Sequence, residues 1–113
     1  MADYAQVSAA DAVGLVERDE VWLLDVREPH EWALGHAPGA HHIPMRQLGA
    51  RQDELPGDAP ILVVCHSGVR SAMVVQALDG AGYETANVES GMTAWAAAGG
   101  AVVDDEGAPG RID

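Results

Sequence analysis

Two short runs of consecutive apolar residues constrain the fold of this chain more than any other feature of its sequence. The runs lie at 21–26 (VWLLDV) and 61–65 (ILVVC), and neither alternates between apolar and polar residues. Strands that are covered on both faces have this continuous pattern, which is typical of parallel sheets. Segments at 5–7, 41–43 and 85–88 are weaker strand candidates. The sequence therefore predicts a mostly parallel sheet.

Helical patterns occupy the segments between these strand candidates. Ser8 is suited to an N-cap, with Asp11 three residues later, and Pro29 is suited to the first turn of a short helix. Ser71 is predicted to open the clearest helix and Gly91 the last one. Strands that alternate with helices over short connections predict an α/β sandwich, whose functional crevice lies at the carboxyl ends of the strands.

The length and charge of the chain limit its organisation and its partners. Its 113 residues fit one domain, which we place at 1–103, followed by an acidic and flexible tail at 104–113. The formal net charge is −12, and all six basic residues are arginines. We expect no binding to nucleic acid or to an anionic membrane, and a small anionic substrate would need a local trap. A single cysteine and the lack of long apolar stretches favour a cytoplasmic protein.

The segment 64–71 (VCHSGVRS) joins a buried strand to a predicted helix and contains the only cysteine. A loop at a helix N-terminus offers unpaired backbone N–H groups, which together with the helix dipole can hold an anion. Gly68 permits a tight turn there, and Arg70 and His66 can add side-chain donors. Such surroundings lower the pKa of a thiol, so Cys65 is predicted to be a thiolate nucleophile.

An isolated cysteine at the end of a strand is also commonly a small core residue. Here Cys65 is followed by a glycine three residues later, an arginine five residues later and a helix start, none of which a core cysteine needs. We therefore interpret Cys65 as the catalytic residue. A thiolate that faces an anion cradle suits attack on a sulfane sulfur or on phosphorus.

Four stretches resemble motifs of the single-domain rhodanese-type sulfurtransferases. They lie at 24–32 (LDVREPHEW), 35–44 (GHAPGAHHIP), 65–70 (CHSGVR) and 91–95 (GMTAW). Each stretch alone is weak evidence, but their order is specific, and together they span nearly the whole chain. The third matches the Cys-x-x-Gly-x-Arg pattern of the active-site loop. It departs from many relatives in having a histidine, His66, where a basic residue commonly follows the cysteine.

The resemblance implies a rhodanese-like three-layer sandwich, in which a five-stranded and mostly parallel sheet is flanked by helices. It also implies a thiosulfate sulfurtransferase. Cys65 would take sulfane sulfur from thiosulfate or another persulfide donor, hold it as a persulfide and pass it to cyanide, a thiol or a protein acceptor. No cofactor and no metal are implied, and the histidines match no zinc spacing. The substrate-binding loop would comprise His66, Ser67, Gly68, Val69 and Arg70.

Four further residues are candidate supporting residues: Asp25, Arg27, Glu31 and Ser71. We interpret Asp25, Arg27 and Glu31 as a buried ion-pair network in preference to a set of substrate contacts. The reason is that Arg27 and Glu31 lie one helical turn apart. Asp25, at a predicted strand end, would also brace the active loop, and Ser71 follows that loop directly.

Two other functions stay open from the sequence. A non-turnover sulfur carrier or a regulatory rhodanese module would keep the same loop, and turnover of free thiosulfate would distinguish them. A phosphatase or an arsenate reductase is the second alternative. Dual-specificity phosphatases of related fold have five residues between cysteine and arginine, whereas this chain has four. The shorter loop suits a sulfur atom better than a tetrahedral phosphate.

Overall fold

The structure, a computed structural model, describes residues 4–113, and in these residues five strands form one sheet flanked by helices. The strands are β1 (Gln6–Val7), β2 (Trp22–Asp25), β3 (His41–His42), β4 (Ile61–Val64) and β5 (Thr85–Val88). The helices are α1 (Ala9–Glu17), α2 (Pro29–Leu34), α3 (Val69–Gly80) and α4 (Gly91–Ala97), with 3-10 turns at Met45–Gln47 and Gln52–Glu54. The predicted α/β class and five-stranded sandwich are confirmed.

The sheet has β4 at its centre, in the order β1-β5-β4-β2-β3, and every strand pair is parallel. The central strand pairs with β2 from Ile61 opposite Trp22 to Val64 opposite Asp25. Because the two strands are parallel and in this register, Asp25 and Cys65 lie at the same edge of the sheet. That edge, at the carboxyl ends of the strands, is where open α/β sheets place their binding crevices.

Both faces of the sheet are covered, which explains why the two apolar runs are continuous. On one face Leu23 and Leu62 pack with α1 and α4 around Trp95, which is 2 % exposed. On the other face Leu24 and Val63 pack against α3. Because successive residues of a strand point to opposite faces, each run contributes to both halves of the core.

One helix end agrees with the prediction and another differs. Ser8 caps α1, since its Oγ accepts a hydrogen bond of 3.1 Å from the backbone N–H three residues later. The longest helix begins at Val69 and not at Ser71, because Gly68 takes the N-cap position with a φ of 101°. Arg70 therefore lies in the first turn of α3 and not in the preceding loop.

The segment 104–113, predicted to be a flexible tail, folds back onto the domain in the structure. Val103, just before it, forms isolated antiparallel bridges with His36 and with a residue of the segment itself. The backbone N–H of Arg111 donates to the carbonyl of the last residue of α2 at 2.9 Å, and Ile112 packs against the core. Backbone hydrogen bonds and one apolar contact hold the segment in place. Neither could be predicted from its polar composition.

Residues 1–3 of the domain predicted at 1–103 lie outside the described residues. Within 4–113, no helix combines the length and the apolar character that crossing a membrane requires.

Candidate active site

The sulfur of Cys65 lies at the base of the loop that connects β4 to α3. The backbone N–H of Gly68 donates to Sγ at 3.1 Å, and the Ser71 hydroxyl lies 3.3 Å from the same atom. The left-handed φ of 101° at Gly68 turns its N–H toward the sulfur, and glycine adopts that conformation without steric cost. The loop thus curls around the thiol as the sequence predicts.

These contacts decide the ionisation of the thiol. Burial raises the pKa of the Cys65 thiol, because it disfavours the charged form. The Ser71 hydroxyl lowers that pKa, as do the backbone N–H groups of Ser71, Gly68 and Ser67. The donors outweigh burial, and the pKa of Cys65 lies below its ordinary value. The thiolate is therefore favoured by hydrogen bonds from this loop and from the first turn of α3.

Two carbonyl groups at the start of the loop, those of Cys65 and His66, point toward α4. The carbonyl oxygen of Cys65 accepts a hydrogen bond of 2.8 Å from the backbone N–H of Met92. The carbonyl oxygen of His66 accepts two from Thr93, one from its backbone N–H and one from its hydroxyl, each at 3.2 Å. With these carbonyls held on α4, the N–H groups of the loop are left to face the sulfur.

Asn87, on β5, supports the loop through hydrogen bonds to two of its neighbouring groups. This residue was not identified from the sequence. It is 2 % exposed, and its Oδ1 lies 2.5 Å from the Ser71 hydroxyl, whose single proton is therefore shared between this oxygen and the Cys65 sulfur. Its Nδ2 donates to the carbonyl oxygen of Gly68 at 3.3 Å. Asn87 thereby fixes the hydroxyl and the turn that contact Cys65. A polar residue inside a buried strand was the one signal in the sequence that could have indicated it.

Asp25 and Arg27 form a buried ion pair beside the loop, as predicted. Nη2 of Arg27 lies 2.7 Å from Oδ2 of Asp25, and Nε lies 3.0 Å from both carboxylate oxygens. The same Nη2 donates to the carbonyl of Gly35 at 2.7 Å, which ties the end of α2 to β2. Both side chains are almost fully buried, so their charges compensate each other within the protein.

Glu31 was predicted to belong to that network, and its carboxylate instead pairs with Arg70. Nη1 and Nη2 of Arg70 donate to Oε1 and Oε2 of Glu31 at 2.7 and 2.8 Å. Only the backbone carbonyl of Glu31 contacts Arg27, at 3.4 Å. The hydrogen bond from Arg70 lowers the pKa of Glu31 to about 2. The prediction failed because one-turn spacing on a helix does not reveal a partner 39 residues away.

The pairing of Arg70 changes the electrostatics expected at the mouth of the site. The sequence predicts Arg70 as a free donor for an anion. In the structure its guanidinium instead forms a bidentate ion pair with a carboxylate. The same is true throughout the chain, since each of the six arginines pairs with an acidic side chain. Backbone N–H groups, the half-buried His66 and the hydroxyl of the exposed Ser67 are then the donors left in the predicted loop.

A cavity of about 350 Å³ opens beside the loop. Its lining residues come from the connection between β2 and α2, from α2 itself, from the loop and from the end of the described chain: Arg27, His30, Glu31, Leu34, His66 and Asp113. Cys65 is 1 % exposed, is not a lining residue of this cavity, and contacts the apolar core of the α3 face. Of the other loop residues, Ser67 and Val69 are exposed, while Ser71 is buried.

The histidines that precede the loop make contacts other than metal coordination. The rings of His36 and His42 stack on Trp32, and their centroids lie 3.7 and 4.6 Å from the centroid of the Trp32 ring. Nδ1 of His36 lies 2.8 Å from the carbonyl oxygen of Trp32. Among residues 4–113, no three His, Cys, Asp or Glu side chains converge in a way that could hold a metal ion.

Comparison with known proteins gives a consistent result. The family model described as the rhodanese-like domain matches residues 8–98. YtwF of Bacillus subtilis (strain 168) is 41 % identical over 91 residues, which cover 80 % of this chain and 88 % of YtwF. A sulfurtransferase of Allochromatium vinosum is 36 % identical over 94 residues, with 82 % and 88 % of the two chains covered. The crystal structure of a rhodanese-related protein from Thermoplasma volcanium superposes with a TM-score of 0.83 at 33 % identity, covering 88 % of this chain and 98 % of that one.

Proposed function

The chain belongs to the rhodanese-like domain family, and from this membership we propose that it is a sulfurtransferase that carries sulfane sulfur on Cys65. One observation carries the assignment of the residue. The N–H of Gly68 and the hydroxyl of Ser71 point at Sγ, and the pKa of the thiol is lowered despite burial. A core cysteine has no use for donors aimed at its sulfur, whereas a nucleophile needs them.

The first half-reaction that we propose uses thiosulfate as the donor. The Cys65 thiolate attacks the outer sulfur of thiosulfate, and a new S–S bond forms as the bond between the two thiosulfate sulfurs breaks. The electron pair of that bond leaves with sulfite. The enzyme then carries a persulfide anion on Cys65, so no proton, oxidant or reductant is required.

The persulfide stage uses the same donors as the thiolate. Its outer sulfur carries the negative charge, and backbone N–H groups at a helix N-terminus stabilise such a charge. In the second half-reaction a thiophilic acceptor, cyanide or a thiolate, attacks that outer sulfur. The S–S bond breaks, its electron pair returns to Cys65, and the product is thiocyanate or a new persulfide. Neither step requires a cofactor.

The proposal includes a cellular setting and a set of partners. A thiolate that alternates with a persulfide is compatible with a reducing cytoplasm, where a small thiol or a protein thiol is available as an acceptor. The net charge of −12 makes nucleic acid and anionic membranes unfavourable partners.

Intact-mass spectrometry after incubation with thiosulfate tests the proposal directly. We expect a gain of one sulfur atom, which is lost on addition of cyanide with release of thiocyanate. Cys65→Ser serves as the control and should neither gain sulfur nor release thiocyanate. A sulfur gain in Cys65→Ser would contradict the role of Cys65. A stoichiometric gain without repeated thiocyanate release would favour a sulfur carrier over an enzyme.

A further inference from the structure

The pair formed by Glu31 and Arg70 spans the mouth of the site from α2 to α3. Nη1 of Arg70 donates to one oxygen of the Glu31 carboxylate and Nη2 donates to the other, so a carboxylate compensates the guanidinium charge beside the cavity that Glu31 lines. The arginine that lines this cavity, Arg27, is paired with the buried Asp25. The lining therefore contains no arginine whose charge is uncompensated.

We propose that Glu31 is a specificity-determining residue, which neutralises Arg70 and so makes the site favour sulfur donors with one negative charge over donors with two. This inference rests on the proposed sulfur transfer and specifies its donor class. A donor such as thiosulfate brings two negative charges to a mouth that offers backbone N–H groups and a histidine. A donor with a single negative charge, such as a thiosulfonate or an organic persulfide, loses less electrostatic binding energy when the charge of Arg70 is already neutralised.

Glu31 is held firmly in the position that this role requires. It is the third residue of α2, and its Oε1 accepts a second hydrogen bond, 2.9 Å long, from the backbone N–H of Glu28. Pro29 restricts the first turn of the same helix. Because the capping contact and the ion pair fix the carboxylate together, an incoming anion must compete with a preorganised partner for Arg70.

Arg70 lies in the same turn of the chain as the groups that contact the reacting sulfur. It stands in the first turn of α3, between Gly68, whose N–H donates to Sγ, and Ser71, whose hydroxyl lies 3.3 Å from Sγ. The guanidinium charge therefore acts near the place where the donor must arrive. Removing the negative charge from Glu31 should therefore add one effective positive charge to the reaction site.

Glu31→Gln is the variant that tests the inference. Glutamine keeps one oxygen for the backbone N–H of Glu28 and for Nη1 of Arg70, and it removes the charge together with the acceptor of Nη2. The probes are thiosulfate and methanethiosulfonate, which differ by one charge and both present a sulfane sulfur. We expect the ratio of kcat/KM for thiosulfate to kcat/KM for methanethiosulfonate to rise about three- to tenfold. An unchanged ratio would overturn the inference.

Two further variants isolate the part played by Arg70. Glu28→Gln removes one charge from the same end of α2, but from an exposed pair with Arg46, and should change the ratio less than about twofold. In the double variant Glu31→Gln/Arg70→Gln the pair is again neutral, so the ratio should return to the wild-type value. A double variant that keeps the raised ratio of Glu31→Gln would show that Arg70 has no part in it.

Alkylation of Cys65 gives a test that does not depend on sulfur transfer. Iodoacetate and iodoacetamide have similar size and differ by one negative charge, and their rate ratio cancels changes in access to the sulfur. We expect this ratio to rise in Glu31→Gln and to revert in the double variant. If the ratio follows this pattern while thiosulfate adds no sulfur, the proposed function fails and the charge selectivity stands. If sulfur is added and neither ratio changes, only the role of Glu31 fails.

Discussion

Gly91 crosses the carbonyl group of Cys65 so closely that a Cβ at position 91 would lie 2.3 Å from the carbonyl oxygen. It would also lie 2.6 Å from the carbonyl carbon of His66. The φ of 59° at Gly91 adds a second reason for glycine, because a side chain is strained in that region. This contact lets α4 begin directly against the active loop and receive its carbonyls, which leaves the N–H groups of the loop for the sulfur.

We predict that Gly91→Ala displaces the active loop and abolishes sulfur transfer. The added Cβ cannot be accommodated by a flexible side chain, since the nearest atoms belong to the backbone of Cys65 and His66. Steric overlap and backbone strain together should lower the free energy of unfolding by about 2–4 kcal/mol. Urea denaturation and the thiosulfate:cyanide assay measure the two effects.

Gly99→Ala is the matched control for that substitution. Gly99 has a φ of 87°, and nothing lies within 4 Å of a Cβ built there. Its variant should therefore lose about 1–2 kcal/mol from backbone strain and keep its activity. Full activity in Gly91→Ala would mean that the loop does not depend on its contact with α4.

We also predict that Ser71→Ala raises the pKa of the Cys65 thiol. The Ser71 hydroxyl stabilises the thiolate, so its loss shifts the equilibrium toward the neutral thiol. Since alkylation by iodoacetamide requires the thiolate, the pH profile of its rate should move to higher pH, and the rate at neutral pH should fall. Alkylation of the wild type in the same measurement also establishes that a small reagent reaches the buried sulfur.

Ser67→Ala provides the comparison for Ser71→Ala. Ser67 is exposed, and it affects the pKa of Cys65 through its backbone N–H, which alanine retains. Its alkylation profile should therefore match that of the wild type. Identical profiles for Ser71→Ala and the wild type would exclude the hydroxyl as a stabilising donor.

The buried pair of Asp25 and Arg27 should contribute far more to stability than an exposed pair does. Arg27→Leu leaves the buried Asp25 carboxylate with a backbone N–H but without a counter-charge, so we expect a loss of about 3–5 kcal/mol. Arg46→Leu removes the exposed partner of Glu28 and should cost less than about 1 kcal/mol. Urea denaturation at neutral pH gives both values, and equal losses would contradict the buried pair.

Local patterns predict most of the fold because each depends on neighbouring residues. A strand between two layers must be apolar on both faces. The runs at 21–26 and 61–65 could therefore be recognised from their own residues, without knowledge of the elements that pack on them. The loop around Cys65 could be recognised for a similar reason. Its glycine, its helix start and its arginine all lie within six residues of the cysteine.

The two contacts of the site that the sequence did not reveal join residues that are distant in the chain. Asn87 contacts Ser71 from another strand, and Glu31 contacts Arg70 from another helix. Periodicity within one element cannot reveal such partners. From the sequence, Arg70 is therefore predicted to bind the anionic ligand. Its true partner, Glu31, becomes evident only when the parallel sheet brings the ends of the strands together.

The last prediction concerns stability in acid and follows from the ion pair between Glu31 and Arg70. The hydrogen bond from Arg70 lowers the pKa of Glu31 from 4.5 to about 2 in the folded protein. The folded state therefore binds the proton less readily than the unfolded state does, and the pair stabilises the fold above the unfolded pKa. That stabilisation should be lost progressively as the pH falls from about 4.5 to about 2.

Glu31→Gln isolates this contribution, because glutamine does not titrate. At pH 7 the variant should be less stable than the wild type by about 1–2 kcal/mol, a figure reduced for solvent screening because the side chain is 20 % exposed. The difference in the free energy of unfolding should shrink toward zero as the pH approaches 2. Urea denaturation of both proteins between pH 2 and pH 7 measures it. A difference that does not vary with pH would show that Glu31 stabilises the fold through contacts other than its charge on Arg70.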